Sequence, residues 1–424
     1  MTKVDDGYPV WHPFSQMFGQ KSIPKVVKAE GVWLHTEDGK VLFDAISSWW
    51  VNLHGHSHPK IAEAVYKQML SLEHVIFAGF THDPAIELCN RLKPYLPQAP
   101  WKFFFSDNGS TAVEVALKMA IQHLRQDNIK KKINVIALEG SYHGDTFGAM
   151  SAATRSVFTD PWDDLFFGVT CITPPIPGKE EVSLQELKAA LKPNSILIYE
   201  PLVMGAAGML MYSAEVMETM LKTAQDAGAL LIADEVMTGF GRTGQWFASN
   251  ATSITPDLIC LSKGLTGGAL PMALTVCSQK LYDAFLHKEF ERGFLHGHSF
   301  TGNPVGCAAA LASLDLMEEE GTWKQMAVIQ SSFERAVKRF ESHPAVKSVR
   351  TCGLILAMDI NEENKGYIHP LRDTMYHAFL EKGLLIRPLG NVIYILPPYI
   401  TTEAELSKAY DGIIEVLDEI GAQE

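Results

Sequence analysis

The chain has 424 residues, of which 47% are hydrophobic and 20% are charged. This composition is typical of a globular protein, and the length is enough for two domains. The net charge is −13, from 36 basic and 49 acidic residues. No block of basic residues occurs, which argues against nucleic acid and anionic membrane surfaces as partners.

The N-terminus lacks the basic and then apolar build of a signal peptide. The longest stretch without a charged residue, 293–314, contains glycines, histidines and a proline, which is untypical of a membrane span. The 6 cysteines lie far apart and form no C-x-x-C pair, as is common for reduced thiols. We therefore expect a cytoplasmic protein that acts on small molecules.

The first predicted element is a β-hairpin. Residues 31–47, GVWLHTEDGKVLFDAIS, contain two alternating runs on either side of Asp38 and Gly39. An Asp-Gly pair between such runs is a strong signal for a tight turn.

The next motif, ISSWWVNLHGHSHP at residues 46–59, places Trp49 beside Trp50. Adjacent residues of an extended segment point to opposite faces, so both indoles cannot enter one core. A substrate pocket, a second core or a subunit interface are the alternatives for the other indole. A metal site built from His54, His56 and His58 is a further reading of the same stretch.

From about residue 59 onward, predicted helices alternate with short apolar runs. Runs that are apolar at every position are typical of parallel strands covered by helices on both faces. The predicted strands are 102–106, 134–140, 169–172, 195–200, 230–235, 257–263 and 273–277, with helices at 110–126 and 213–228 among them.

After the long helical pattern at 303–320 the sequence changes to one more helix, short strands and two further helices. We predict an α/β fold with a mostly parallel sheet in a large domain, 59–310. A smaller α+β domain, 311–424, is expected to include the N-terminal segment, 1–58, with its hairpin.

The polar residues with the sharpest chemical meaning follow predicted strands. Lys263 follows the apolar run LICLS, and Asp234 ends the run LLIA. In open α/β sheets ligands bind at the carboxyl ends of the strands. A lysine buried there has a lowered pKa and can form a Schiff base. The alternative is that the Lys263 side chain extends to the surface, and its position in the sequence does not by itself distinguish the two. A carboxylate that keeps a pyridine nitrogen protonated makes pyridoxal 5'-phosphate an electron sink, so Asp234 favours that cofactor.

A phosphate site is predicted where the strand 102–106 leads into a helix. Gly109 and Ser110 stand at the start of that helix, whose free N–H groups favour an anion. A simple helix cap by Asn108 or Ser110 explains the same residues. Tyr142, after the next strand, is an aromatic residue that could stack on a flat ring.

Two motifs suggest other cofactors and are weak. GFGRTG at 239–244 fits the dinucleotide pattern G-x-G-x-x-G. It follows its strand at a distance of several residues and precedes a poor helix pattern, so a nicotinamide site is not expected. His54, His56 and His58 have no acidic or cysteine residue nearby, and Pro59 ends their strand, so we expect no metal.

The segments LLIADEVMTGFGRTGQWFA and PDLICLSKGLTGGALPM resemble the signature of the class III (subgroup II) aminotransferases, pyridoxal-phosphate enzymes of fold type I. The resemblance covers essentially the whole chain. Within that family, WHPFSQM, SSWWVNLHGHSHP, GSYHGDT and IRPLGNVIYILPPY are similar to members of the biotin pathway. Those members aminate 8-amino-7-oxononanoate, normally with S-adenosylmethionine as the amino donor.

The resemblance implies a role for each matching residue. Lys263 is expected to bind the cofactor and shuttle the proton, with Asp234 at the pyridinium nitrogen. Ser299 matches a position that reaches the phosphate from the other subunit, which implies a homodimer with shared active sites. The implied cofactor-binding residues are Gly109, Ser110, Tyr142, Asp234, Lys263 and Ser299. The implied substrate-binding residues are Phe14, Trp49, Trp50, Asp145, Gly297, Arg387 and Tyr394, with Arg387 at the substrate carboxylate.

Departures from the pattern concern the amino donor. Users of S-adenosylmethionine have tyrosine where this chain has Phe14, and Pro-Thr where it has His298 and Ser299. Related enzymes that use lysine share the phenylalanine and the His-Ser pair, so lysine is the alternative donor. An aminotransferase for another ω-amino acid or diamine is the second alternative. A pyridoxal-phosphate-binding protein without catalysis is the third.

Overall fold

The computed structural model describes residues 2–4, 7–20, 22–360 and 368–421. Within these residues the largest sheet has seven strands in the order β6-β14-β13-β12-β9-β7-β8. Its strands are β6 (Trp101–Ser106), β7 (Asn134–Leu138), β8 (Val169–Ile172), β9 (Ser195–Tyr199), β12 (Leu230–Asp234), β13 (Leu258–Leu261) and β14 (Ala273–Ser278). All seven predicted strands are therefore present.

Strand β14 departs from the parallel arrangement. It runs antiparallel to both of its neighbours, β13 and β6, whereas β8, β7, β9, β12 and β13 are parallel. The strand β8 lies at the edge of the sheet, where Cys171 is exposed, so its apolar run is not buried on both faces as predicted.

Helices cover the sheet and continue into the C-terminal part of the chain. Their bounds are α1 (Ser47–Trp50), α2 (Pro59–Ser71), α3 (Asp83–Leu92), α4 (Gly109–Leu124), α5 (Phe147–Ser151), α6 (Glu180–Ala190), α7 (Ala214–Asp226), α8 (Gln279–Asp283), α9 (Pro304–Glu318), α10 (Glu320–Glu341), α11 (Leu371–Glu381) and α12 (Glu403–Gly421). Short 3-10 turns occur at Lys93–Tyr95, Asp160–Leu165, Ala248–Ala251, Lys263–Thr266 and Phe290–Arg292. No helix of the described chain is both long enough and apolar enough to pass through a bilayer.

Local sequence explains where the long helices begin. The side chain of Asn108 accepts a hydrogen bond from the N–H of Thr111, and the side chain of Thr111 accepts one from the N–H of Asn108, so α4 starts with a capping box. Asn303 caps α9, which has Pro304 at its first position. These caps place both helix starts where the sequence patterns predicted them.

The remaining strands form smaller sheets. The predicted hairpin is present, with β4 antiparallel to β5, and β17 from the C-terminal part adds to it in parallel. The strands are β1 (Thr2–Lys3), β2 (Ser22–Ile23), β3 (Val26–Glu30), β4 (Trp33–Thr36), β5 (Val41–Asp44), β10 (Val203–Met204), β11 (Leu210–Met211), β15 (Val346–Cys352), β16 (Ile355–Ile360), β17 (Leu384–Leu385) and β18 (Val392–Ile395). The domain boundaries at 58 and 310 stay a prediction.

Candidate active site

The candidate site lies at the carboxyl edge of four adjacent parallel strands. Tyr142 and His143 follow β7, Glu200 follows β9, Asp234 ends β12, and Lys263 follows β13. Parallel strands deliver the residues at their carboxyl ends to one rim, which is where open α/β sheets bind ligands. All five residues line a cavity of about 380 Å³, called here the inner cavity.

Lys263 lines both the inner cavity and a second, larger cavity. Its backbone has φ 45°, in the left-handed region that residues with a side chain rarely adopt. Its Nζ lies 4.5 Å from the ring centre of Trp50. Burial lowers the pKa of the Lys263 amine to about 8, although Asp234 and Glu200 oppose this effect. The amine is therefore closer to its neutral, nucleophilic form than an exposed lysine is.

Asp234 has a partner that the sequence analysis missed. Its Oδ2 lies 2.7 Å from Nδ1 of the buried His143, and its Oδ1 accepts the N–H of Val236 at 3.1 Å. These contacts orient the carboxylate toward the inner cavity. The signal was available in the sequence, because His143 directly follows Tyr142 at a strand end.

Glu200 is the second carboxyl group at this rim. It accepts hydrogen bonds from the N–H groups of Tyr142 at 3.2 Å and Gly205 at 2.9 Å. Burial raises the pKa of Glu200 to about 7, and the nearby Asp234 acts in the same direction while His143 opposes it. A carboxyl group of raised pKa beside a lysine of lowered pKa is typical of a functional site.

The start of α4 faces the inner cavity. Gly109 and Ser110 line it, and their N–H groups have no acceptor among the described residues. A Cβ on Gly109 would lie 2.7 Å from Val236 Cγ1, so only glycine leaves room there. The helix cap by Asn108 and a free anion-binding helix start thus occur together.

Tyr142 lies between the inner cavity and a second one. Its hydroxyl donates to Asp145 Oδ2 at 2.8 Å. Burial raises the pKa of the Tyr142 hydroxyl above its usual range, which keeps the ring neutral. A flat, neutral ring against the inner cavity is suited to stacking on an aromatic cofactor.

The second cavity, called the outer cavity, has a volume of about 590 Å³ and shares five lining residues with the inner one: Trp50, Tyr142, Gly144, Ala206 and Lys263. Both indoles line it, so Trp49 and Trp50 each face this space. Its other large apolar lining residues are Phe14, Met150, Phe158, Leu389 and Val392. The last four are residues that sequence reasoning did not single out, because nothing in their spacing marks them.

Trp50 is both a wall of the cavity and part of a core. It is 5% exposed, and its Nε1 donates to the Tyr394 hydroxyl at 3.2 Å. Tyr394 is fully buried behind Trp50 and is not among the residues that line the cavities. The predicted contact of Tyr394 with substrate is therefore indirect in this structure, through Trp50.

Arg387 lies on the far side of Trp49. Its guanidinium carbon is 5.2 Å from the Trp49 ring centre, and its Nη2 donates to the Phe14 carbonyl at 3.1 Å. It lines a separate cavity of about 450 Å³, which shares only Phe14 and Trp49 with the outer cavity. Trp49 and Trp50 together form a wall of the outer cavity, called here the tryptophan wall. The predicted carboxylate contact would thus occur at the outer end of this wall.

Two predicted residues lie away from these cavities. Gly297 and Ser299 are exposed and line neither the inner nor the outer cavity. Within one chain, the structure does not bring Ser299 to the remaining phosphate-binding residues.

The three histidines do not converge on one point. Burial lowers the pKa of His54 to about 3, and its Nε2 contacts Ser313 Oγ at 3.0 Å. His56 contacts Asp44 instead. Among the described residues, no group of three or more histidine, cysteine or acidic side chains is arranged to bind a metal.

Pyridoxal 5'-phosphate fits the inner cavity by the chemistry of its lining. Gly109 and Ser110 offer free N–H groups to a phosphate. Asp234 offers an oriented carboxylate to a protonated ring nitrogen, and Lys263 offers an amine of lowered pKa. Tyr142 supplies a ring face. These are the groups that this cofactor requires.

Comparisons with known proteins identify the family of this chain. The family model for class III aminotransferases matches residues 18–417. An adenosylmethionine-8-amino-7-oxononanoate aminotransferase of Synechococcus elongatus is 46% identical, over 97% of this chain and 99% of the relative. One of the same name from Helicobacter pylori is 36% identical, over 97% of this chain and 96% of the relative.

Solved structures show the same fold. The enzyme of that name from Methanocaldococcus jannaschii has a TM-score of 0.91 at 32% identity and covers 97% of both chains. An amine transaminase from an uncultivated Pseudomonas species, solved in its PLP-bound form, has a TM-score of 0.91 at 27% identity, over 99% of this chain and 100% of that one. The fold is therefore that of the pyridoxal-phosphate enzymes of fold type I, and the protein belongs to the class III aminotransferase family.

Proposed function

We propose that this enzyme transfers an amino group to the ketone of 8-amino-7-oxononanoate, forming 7,8-diaminononanoate for biotin synthesis, with S-adenosylmethionine as the donor. The observation that carries the proposal is the tryptophan pair on the outer cavity, directly beside Lys263. An apolar wall suits an acceptor that consists mostly of methylene groups. The relatives named for this reaction, at 46% and 36% identity, support the same acceptor.

The roles of the residues follow from the chemistry of transamination in two half-reactions. In each, Lys263 would take a proton from one carbon and return it to another, which suits an amine whose pKa is about 8. Asp234, held by His143, would keep the ring nitrogen of the cofactor protonated. When bound, pyridoxal phosphate supplies the electron sink and stores the amino group between the half-reactions.

Arg387 is proposed as the residue that binds the acceptor carboxylate. Its position beyond Trp49 and Phe14 supports a contact at the outer end of the wall, because an acceptor long enough to extend from Lys263 past Trp49 would meet Arg387 there. Replacing Arg387 by methionine is expected to raise the KM for the acceptor at least about tenfold while kcat changes less. An unchanged KM in Arg387→Met would remove Arg387 from this role.

A homodimer with shared sites is the proposed assembly. Ser299 is exposed, and exposed apolar side chains occur in its own segment, at Leu295 and Phe300, and in a second segment, at Ile76 and Phe80. Phe300 packs at 5.3 Å from the ring of His74, which ties the two segments together. Apolar exposure of this kind favours a protein interface. Light scattering is expected to give twice the chain mass.

A cytoplasmic location is proposed, and the state of the cysteines supports it. All six are free, and Cys260, Cys277 and Cys307 are buried. Reduced, buried thiols of this kind are typical of reducing compartments.

The donor is tested by a half-reaction without acceptor. Purified enzyme in the aldehyde form is mixed with S-adenosylmethionine or with lysine, and conversion of the cofactor to its amine form is followed by absorbance. We expect S-adenosylmethionine to convert the cofactor. Conversion by lysine alone would contradict the proposed donor and favour the alternative that Phe14 suggests. The matched variant Phe14→Tyr restores the missing hydroxyl and is expected to speed the reaction with S-adenosylmethionine.

The role of Lys263 as the proton shuttle is tested by substitution. Lys263→Ala is expected to bind cofactor and to lose turnover, because the proton shuttle is absent. Appreciable steady-state activity in this variant would refute the assigned role.

A further inference from the structure

The two tryptophans stand on the short element α1, which is a left-handed turn and not a right-handed helix. Ser47, Ser48, Trp49 and Trp50 have φ values of 50°, 45°, 71° and 75°. None of them is glycine, and residues with a side chain disfavour this region. Four such residues in succession persist only where surrounding contacts hold them. The contacts that hold this turn therefore decide where both indoles lie.

The buried carboxyl group of Asp44 holds the turn, together with the Leu396 carbonyl, which accepts the Ser47 hydroxyl at 2.7 Å. Asp44, at the end of β5, is fully buried. Its Oδ1 accepts the N–H groups of Ser48 at 2.8 Å and Ile46 at 3.4 Å. Its Oδ2 accepts the Ser48 hydroxyl at 2.8 Å. Asp44 thus binds the turn at the residue directly before Trp49.

His56 completes this arrangement from the other side. Its Nε2 lies 2.8 Å from Asp44 Oδ2, and its Nδ1 lies 3.3 Å from Asn52 Nδ2. With this orientation of the Asn52 amide, the amide donates to Nδ1 and the ring proton on Nε2 is donated to Asp44. The backbone of His56 pairs with Gly31, which fixes the histidine to the hairpin.

We propose that Asp44 and His56 are positioning residues that set the tryptophan wall of the outer cavity and so determine affinity for the acceptor chain. Neither residue lines the inner or outer cavity, so both act through Trp49 and Trp50. This proposal rests on the proposed function in one respect, namely that the acceptor is the molecule that binds against Trp49 and Trp50.

The test is steady-state kinetics of the complete enzyme with the acceptor varied. His56→Leu removes the donor to Asp44 and is expected to raise the acceptor KM about tenfold, or about 1.4 kcal/mol, with kcat within about threefold. His56→Gln retains an N–H donor and is expected to restore the KM to within about threefold of wild type. His58→Gln, on the same loop with no contact to Asp44, is the control and is expected to leave the KM unchanged.

A double-mutant cycle separates positioning from general destabilisation. In a Trp49→Ala background, His56→Leu is expected to change the KM less than about twofold, because the side chain that it positions is gone. Independent, additive effects in the two backgrounds, or a loss confined to kcat, would overturn the proposal. If His56→Leu does not fold, Ser48→Ala, which removes one donor to Asp44, is measured in the same cycle with the same expectation of non-additivity.

A spectroscopic measurement keeps this proposal separate from the proposed function. If the wild-type enzyme does not turn over 8-amino-7-oxononanoate, the proposed function fails. The near-ultraviolet circular dichroism of tryptophan is still expected to change in His56→Leu and to recover in His56→Gln. Spectra identical to wild type in both variants would refute the positioning role.

Discussion

The lysine at the centre of the site should destabilise the cofactor-free protein. Burial lowers the pKa of the Lys263 amine from 10.5 to about 8, so folding disfavours its charged form. At about 1.36 kcal/mol for each pH unit, this corresponds to at most about 3.4 kcal/mol at pH 7. The side chain is only partly buried, because the cavity admits water, so we expect about 2 kcal/mol.

Lys263→Met is the perturbation that measures this cost. Methionine keeps the Cβ, so the strain at φ 45° is the same in both proteins. It also keeps a side chain against the Trp50 ring, which Lys263 contacts at 4.5 Å. The variant is therefore expected to be more stable than wild type by about 2 kcal/mol at pH 7.

The free energy cost of burying the charged Lys263 amine depends on pH. Below pH about 8 the amine is charged in both states, and the full cost is present. Between pH about 8 and 10.5 the unfolded chain binds more protons, so the stability of the wild type rises with pH. The advantage of the methionine variant should therefore fall to about a quarter of its value by pH 10.

Urea unfolding of both cofactor-free proteins at several pH values is the assay. The exposed Lys188 provides the control, and Lys188→Met is expected to change the free energy of unfolding by less than about 0.5 kcal/mol. A Lys263→Met variant that is less stable than wild type, by an amount independent of pH, would refute the reasoning.

Three further predictions concern other parts of the molecule. Asp234→Asn should reduce kcat about 10³-fold. The reason is that a charge pair between the carboxylate and the protonated ring nitrogen of the cofactor, at about 4 Å, contributes roughly 4 kcal/mol at an effective dielectric constant of 20. Retention of activity near the wild-type level would contradict the role of Asp234. Trp50→Ala should lower the free energy of unfolding by about 3–5 kcal/mol in denaturant titrations, because the side chain is 5% exposed; a loss under about 1 kcal/mol speaks against core packing. Phe300→Asp should shift the mass in light scattering from dimer toward monomer, and an unchanged dimer places the interface elsewhere.

Residue patterns determined the strands, the long helices and the cofactor chemistry. The apolar stretches within 195–200 and 230–235 indicate buried parallel strands, so β9 and β12 could be predicted. Once the strands are parallel, Asp234 and Lys263 must meet at one rim, because the carboxyl ends of parallel strands share an edge. The antiparallel direction of β14 could not be inferred, because an apolar run carries no direction.

The tertiary structure alone decided how the side chains are held. The partner of Asp44 is His56, which lies 12 residues along the chain, and its contact at 2.8 Å depends on a left-handed turn that no sequence pattern indicates. Trp49 and Trp50 face the same cavity because that turn replaces the extended segment, in which they would point apart. The same turn places Trp50 against the Tyr394 hydroxyl and Trp49 against the Arg387 guanidinium. Sequence specifies which groups are present, whereas long-range packing of β5, the turn and β18 determines which of them face the ligand.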